Sequence, residues 1–484
     1  MKKLRTYTAI LLSAISAASL LTACSAAPQN TGTADTAPLP AYFNLIDEGR
    51  IGRPGRQHET GMCWSYLCTA VAESSILTDG LIDAEHLNLS EAHLCYFMYQ
   101  RKDEMTDESR DGFYIPEGWP TDVKVPYHAG GDSEVALGMY ANGCGLADEA
   151  FLPEFSSESL KAQKSFKSLY DGAHSGAITE FDGDWLLVGR NDRIGRSAEE
   201  IKRAIMNEGA IGAGILASGK GVSKADDGTR AYFYCTDAET FGEGSHAVAL
   251  IGWDDNYSKE HFFSKHRPEN DGAWIARDST DLLSGEDGLM YISYEEYIMS
   301  TSTVDMCRRS DYGDVLHYDV YCKETVCGED GSTTVANVFT ARRDCALKGV
   351  GVYTADDNQP IEITVFKNPE PGNPGSGRRA AKLKTVVPCA GYHVVDLKKQ
   401  CKFSGGDSFS IIVSYKGGEA FVEGTELTEY CRPFIDMYVT SGKGESFIKS
   451  GDEWLDTSDE ATAKVFGKDN KLNNVGIRAL LAPD

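Results

Sequence analysis

The stretch that most constrains this chain is Gln57 to Trp64, QHETGMCW, which runs directly into SYLCTAVAESSIL. After the Cys63-Trp64 pair, Leu67, Ala70, Val71 and Leu77 recur at helical spacing. Gly61 permits the sharp corner by which a loop enters a helix. The pattern predicts Cys63 in the first turn of a buried helix, where unpaired amides and the helix dipole favour a thiolate. Gln57 lies close enough upstream to turn its side-chain amide toward an oxyanion forming at that sulfur.

A nucleophilic cysteine needs a base, and the base needs something to hold it. Ser245-His246-Ala247-Val248 opens a strand-like run after the Gly-rich approach FGEGS. A histidine at the mouth of a strand is expected to be half-exposed and rigidly mounted. Further on, the run AWIAR ends in Asp278-Ser279. A carboxylate there can accept the second ring N–H, fix the tautomer and stabilise an imidazolium. The other nine histidines, His58 among them, fall in polar loops, on helices or in the β-patterned C-terminal third, and read as surface or structural residues.

Around these residues the first half of the chain is rich in helical signals. Tyr42 to Gln57 reads as a short lead-in strand and loop. Ser90 is a candidate N-cap for a helix carrying Leu94, Phe97 and Met98. Residues 101–132 look irregular, Ser133–Tyr140 is amphipathic, and no element is predicted up to about residue 180. Ser197 to Glu200 form a capping box for a helix with Ile201, Ala204 and Ile205 on one face. Asn207-Glu208-Gly209 stops it before a buried strand at Ala210–Ala217. Strands are predicted at His246–Trp253, Gly272–Arg277 and Gly288–Tyr294. After about residue 315 short β-patterned runs take over: Ala336–Thr340, Gly349–Tyr353, Glu362–Phe366, Tyr392–Leu397 and Ser408–Tyr415. With no convincing helix among them, they suggest a β-sandwich.

On these residues the chain resembles a papain-like cysteine peptidase. RPGRQHETGMCW, LSEAHL, EEIKRAIMNEGAIGAGILA, SHAVALIGWDDN and GAWIARDST followed by SGEDGLMYISYEEY stand in that family's order. The resemblance implies an α+β fold: a two-lobed catalytic domain at 42–314, with a helical and a β-rich lobe. It also implies the roles. Cys63 would attack a peptide carbonyl, His246 would pair with it, Gln57 and the Cys63 N–H would hold the oxyanion, and Asp278 would orient His246. ANVFTARRDCALKGVGVYT and the later GESF…W pattern are similar to the lectin-like domain appended to some bacterial members, here an all-β sandwich at 315–484.

Several positions depart from the family. Asp278 stands where Asn is usual, Thr280 and Ser284 stand where tryptophans shield the orienter, and Thr60 replaces a cysteine. Without the tryptophans, the His246–Asp278 bond is expected to be more open to solvent. The distance along the chain from Cys63 to His246 exceeds the roughly 130–150 residues of the papain group, so insertions are implied.

The N-terminus reads as an address. Lys2, Lys3 and Arg5 precede an apolar run, then Leu21-Thr22-Ala23-Cys24. This resembles a bacterial lipobox, which implies a signal peptide at 1–23, a lipidated Cys24 and a protein exported and anchored to the cell membrane. Residues 24–41 are small, polar and Pro-containing, as a flexible tether would be. They are too short for a helical pro-segment of the kind that holds many family members inactive.

With a formal charge of -26 the surface argues against nucleic acid as a partner. Of the 13 cysteines, six fall in the last third, and an exported protein could pair some of them. None shows zinc-ligand spacing, so neither metal nor cofactor is expected. The expected partners are a peptide or protein substrate, a glycan or surface protein for the C-terminal domain, and the membrane through the lipid. Two other functions fit the same residues: a catalytically inactive lipoprotein acting in adhesion or binding, and amide transfer by the same Cys-His-Asp order.

Overall fold

In the computed structural model the described residues are 37–483, apart from 59, 101–111, 115–129, 132, 142–145, 151–184, 194, 225–227, 237–244, 286, 321 and 424–435. The helix Cys63–Thr78 is buried on nearly every side. It lies between the helices Glu91–Met98 and Ser133–Tyr140 on one flank and the strands Ser245–Asp254 and Thr301–Arg308 on the other. A helix so enclosed must satisfy its polar side chains internally. Ser65 Oγ donates to the Glu91 carbonyl at 2.8 Å, and Ser74 Oγ donates to the Arg50 carbonyl at 2.7 Å. The Met306 amide donates to Ser75 Oγ at 3.1 Å. Glu73 accepts the Leu89 amide at 2.7 Å, and its carboxylate lies so close to Gly52 that a Cβ there would collide with it. Burial pushes the Glu73 carboxyl up to about 8, so it is largely neutral at pH 7.

Ser90 Oγ accepts the His93 amide at 2.9 Å at the start of Glu91–Met98, as an N-cap does. The capping box at Ser197 is complete, because Ser197 Oγ accepts the Glu200 amide while Glu200 accepts the Ser197 amide. Ser197→Ala is therefore expected to cost about 1 kcal/mol, read as a lower urea midpoint. Gly209, at φ +105°, ends this helix.

The strands of the N-terminal part form most of a 13-stranded sheet, in which Ile211–Leu216, Ser245–Asp254, Ala273–Arg277 and Leu289–Ser293 are antiparallel neighbours. The C-terminal part is a sandwich. One layer is the six-stranded sheet that runs from the edge strand Arg378–Val387 through Gln359–Lys367, Ser408–Tyr415 and Thr333–Thr340. The other layer, Asp314–Leu316, Ile477–Pro483, Cys345–Thr354 and Gly391–Phe403, belongs to the 13-stranded sheet itself. Leu347, Val350, Ile363, Phe409, Val413 and Ile477 fill the space between the layers.

The sheet passes from one part of the chain to the other at a single register point, His393 opposite Gly189. Beside this junction Arg478 donates to Asp319 at 2.8 Å, with both side chains fully buried. The guanidinium lies over the rings of Tyr353 and Tyr392. Val320 and Tyr392 belong to the hydrophobic core that also holds Trp64 and Leu67.

Three elements differ from expectation. Trp185–Arg193 is a strand to which no expectation was attached, since its polar end RNDR hides the pairing with Thr301–Arg308. Arg378–Val387 reads as charged rather than β because it is an edge strand, with Lys382 and Lys384 paired to Glu362 on its open face. A short helix, Glu460–Val465, interrupts the β-rich C-terminal part and is capped by Asp459. Among the described residues Cys63, Cys95, Cys322, Cys327, Cys345 and Cys401 are free thiols. Cys24 and most of the expected tether lie outside the described residues, as do nearly all of 101–132.

Candidate active site

Cys63 is the first residue of its helix, half-buried, and Met62 before it supplies no side-chain cap. The Ser65 amide turns back to the Met62 carbonyl at 2.8 Å, and the amides of the first two helical residues are left for other acceptors. The sulfur takes hydrogen bonds from His246 and from the Trp64 and Ala247 amides. Burial opposes ionisation of the thiol, but these bonds and the His246 charge outweigh it and hold Cys63 below its ordinary pKa. The Trp64 indole lies flat against Gly131, where a Cβ would collide with the ring.

His246 is the second residue of Ser245–Asp254, and Asp278 directly follows Ala273–Arg277. Ala249 stands opposite Arg277 in the register, and that pairing sets the two side chains together. His246 Nε2 meets Asp278 Oδ1. This leaves Nδ1 as the ring nitrogen available to the sulfur. Burial works against a charged imidazole, yet Asp278 and Cys63 push His246 up to about 10. Burial likewise opposes the Asp278 carboxylate, and His246, Thr280 and Ser284 hold it below the usual range.

His246 was expected to be half-exposed and its bond to Asp278 open to solvent. Both expectations are corrected. His246 is 6% and Asp278 5% exposed. The cover consists of hydroxyls in place of rings. Thr280 donates to Asp278 Oδ2 through its Oγ1 at 2.7 Å and its amide at 3.1 Å. Ser284 lies beside the same carboxylate and spends its own hydrogen on the Thr280 carbonyl at 2.7 Å. Hydroxyls at both positions normally held by tryptophan were the sequence signal for this arrangement.

Gln57 is buried and its amide is already engaged. Nε2 donates to the Thr60 carbonyl at 2.7 Å, and Oε1 accepts the Ser279 hydroxyl at 2.7 Å. The amide is fixed beside the turn into Cys63 and is not free to swing, with one Nε2 hydrogen uncommitted by these bonds. Thr60 ties the same loop without a disulfide, its hydroxyl donating to the Gln57 carbonyl at 2.6 Å. His58, beside Gln57, adopts φ +51° and contributes to the turn. His93 is buried on its helix, and burial lowers it to about 4. No group of three or more His, Cys, Asp or Glu among the described residues is placed to hold a metal ion.

The arrangement can generate a thiolate on the first turn of a helix beside an imidazolium on a sheet strand. The fold is that of a papain-like cysteine peptidase followed by a lectin-like domain. Residues 316–470 match the family described as Lectin like domain. Among solved structures, the chain is similar to the clostridial cysteine protease Cwp84 after propeptide cleavage, at 20% identity and a TM-score of 0.71, over 92% of this chain and 99% of that one. It is similar also to the cysteine protease and lectin-like domains of Cwp84, a surface layer associated protein of Clostridium difficile. That match has 19% identity and a TM-score of 0.69, over 93% of this chain and 90% of that one. No curated protein sequence matches.

Proposed function

We propose that the chain is an exported, lipid-anchored cysteine endopeptidase that cleaves peptide bonds by acyl transfer. The observation that carries this reading is the contact series Cys63–His246–Asp278 within a papain-like fold. The Cys63 thiolate attacks the carbonyl carbon, and the oxyanion is held by the Cys63 amide and the uncommitted Nε2 hydrogen of Gln57. Protonated His246 delivers its Nδ1 proton to the leaving amine as the C–N bond breaks. The neutral ring then takes a proton from water, which opens the thioester and releases the acid and the thiolate. Asp278 keeps the ring oriented through both steps.

The lipobox-like Leu21 to Cys24 and the tether after it support anchoring through Cys24, with substrates drawn from the extracytoplasmic surface. The C-terminal domain is proposed to recruit a glycan or a surface protein.

The test is proteolysis of a denatured protein substrate by the full chain and by Cys63→Ala. Cleavage by the wild type alone supports the reading. No cleavage by either, together with a Cys63 inert to thiol-directed electrophiles at pH 7, makes the chain a binding protein. Retention in the membrane fraction that disappears in Cys24→Ser tests the anchor.

A further inference from the structure

Arg56 directly precedes Gln57, yet its side chain leaves the helical part and ends on the loop after Asp278. Its Nη1 donates to the Thr280 carbonyl at 3.3 Å and to Ser284 Oγ at 3.2 Å. Its Nη2 donates to the Gly285 carbonyl. A further contact with Asp281 at 3.4 Å faces solvent, the Asp281 side chain being 75% exposed, and so adds little. The Arg56 carbonyl accepts the Tyr66 hydroxyl at 2.8 Å, which ties the Arg56 backbone to the nucleophile's own helix. One residue on, the Gln57 amide donates to the Ser279 carbonyl at 3.0 Å.

The loop that Arg56 grips is the one whose hydroxyls cover Asp278. Ser284 Oγ donates to the Thr280 carbonyl at 2.7 Å, and the Leu283 amide donates to Thr280 Oγ1 at 3.2 Å. The planar fork of a guanidinium suits this task, since it reaches two carbonyls and a hydroxyl on one side. Resting on the peptidase reading above, we propose that Arg56 is a positioning residue. It clamps 280–285, with Ser284 held against the Thr280 carbonyl, so that Thr280 occupies Asp278 Oδ2 and leaves Oδ1 to His246, doing what tryptophan rings do in the family this chain resembles.

The test compares full-length wild type, Arg56→Ala, Arg56→Lys, Thr280→Val and Asp281→Asn in two assays. One is kcat and KM for peptide hydrolysis, and the other is the pH profile of Cys63 alkylation by iodoacetamide. In Arg56→Ala, kcat is expected to fall about tenfold with KM nearly constant, since a loosened base is mispositioned for the reaction rather than for binding. Its alkylation plateau should end about one pH unit lower, because His246 less firmly held by Asp278 gives up its proton sooner. Thr280→Val should shift the plateau the same way, Arg56→Lys should restore part of the loss, and Asp281→Asn should leave both assays unchanged.

An unchanged plateau in Arg56→Ala overturns the proposal, even where melting temperature and kcat fall, because that combination marks a structural role alone. A wild type that alkylates as an isolated thiol overturns it too. If no peptide is cleaved while the wild-type plateau is present, the peptidase reading fails and Arg56 is still judged by the plateau.

Discussion

His246→Ala is expected to lower kcat/KM for peptide hydrolysis by about 10³–10⁴-fold, the scale seen when a base that also serves as acid is removed. The reactive form needs Cys63 as thiolate and His246 protonated. It therefore exists above the depressed Cys63 pKa and below about 10, where His246 loses its proton. Wild-type alkylation should form a plateau across that window. In the variant the thiolate loses its hydrogen bond and its counter-charge, while burial, which raises the pKa, remains. The rate should then rise only above the ordinary thiol range, and at pH 6 it should be about 10²-fold below wild type. Matching profiles in the two proteins would mean that no ion pair is assembled.

Asp319→Ala is expected to destabilise the chain by about 3–5 kcal/mol, because it strands a buried guanidinium. Arg478 and Asp319 have no exposed side-chain surface, and the Arg478 guanidinium is packed against two tyrosine rings. Replacing both partners, as Asp319→Leu with Arg478→Met, should recover most of the loss, since apolar groups of similar volume need no counter-charge. Urea unfolding of the three proteins decides it. A loss below about 1 kcal/mol in Asp319→Ala would show that the pair contributes no more than a surface ion pair.

Much of the site was legible because its signals are local. The helix begins at Cys63, where the loop before it gives way to an apolar run. The strand positions of His246 and Asp278 follow from apolar runs that end abruptly at polar residues. The burial of the His246–Asp278 pair was not legible in the same way. It depends on Thr280 folding back on the carboxylate, on Ser284 bracing the Thr280 carbonyl, and on Arg56, far away in sequence, holding both. The fixed amide of Gln57 likewise depends on Ser279, which no spacing rule connects to it. In the fold, runs with an apolar face declared themselves, whereas Trp185–Arg193 and Arg378–Val387 did not. The first ends in charge, and the second turns its charge outward as an edge strand should.

The strand Ile477–Pro483 lies between Asp314–Leu316 and Cys345–Thr354. On a ribosome, where the chain emerges N-terminus first, Asp314–Leu316 has to wait for its partner until almost all of these residues are out. The same timing governs Gly189, which meets His393 across a long interval of synthesis. Sheet closure is therefore a late, shared event for both halves of the chain, and such distant pairings make it slow. A nascent chain halted before residue 477 presents an open strand edge, which is the state that quality-control proteases and aggregation act on.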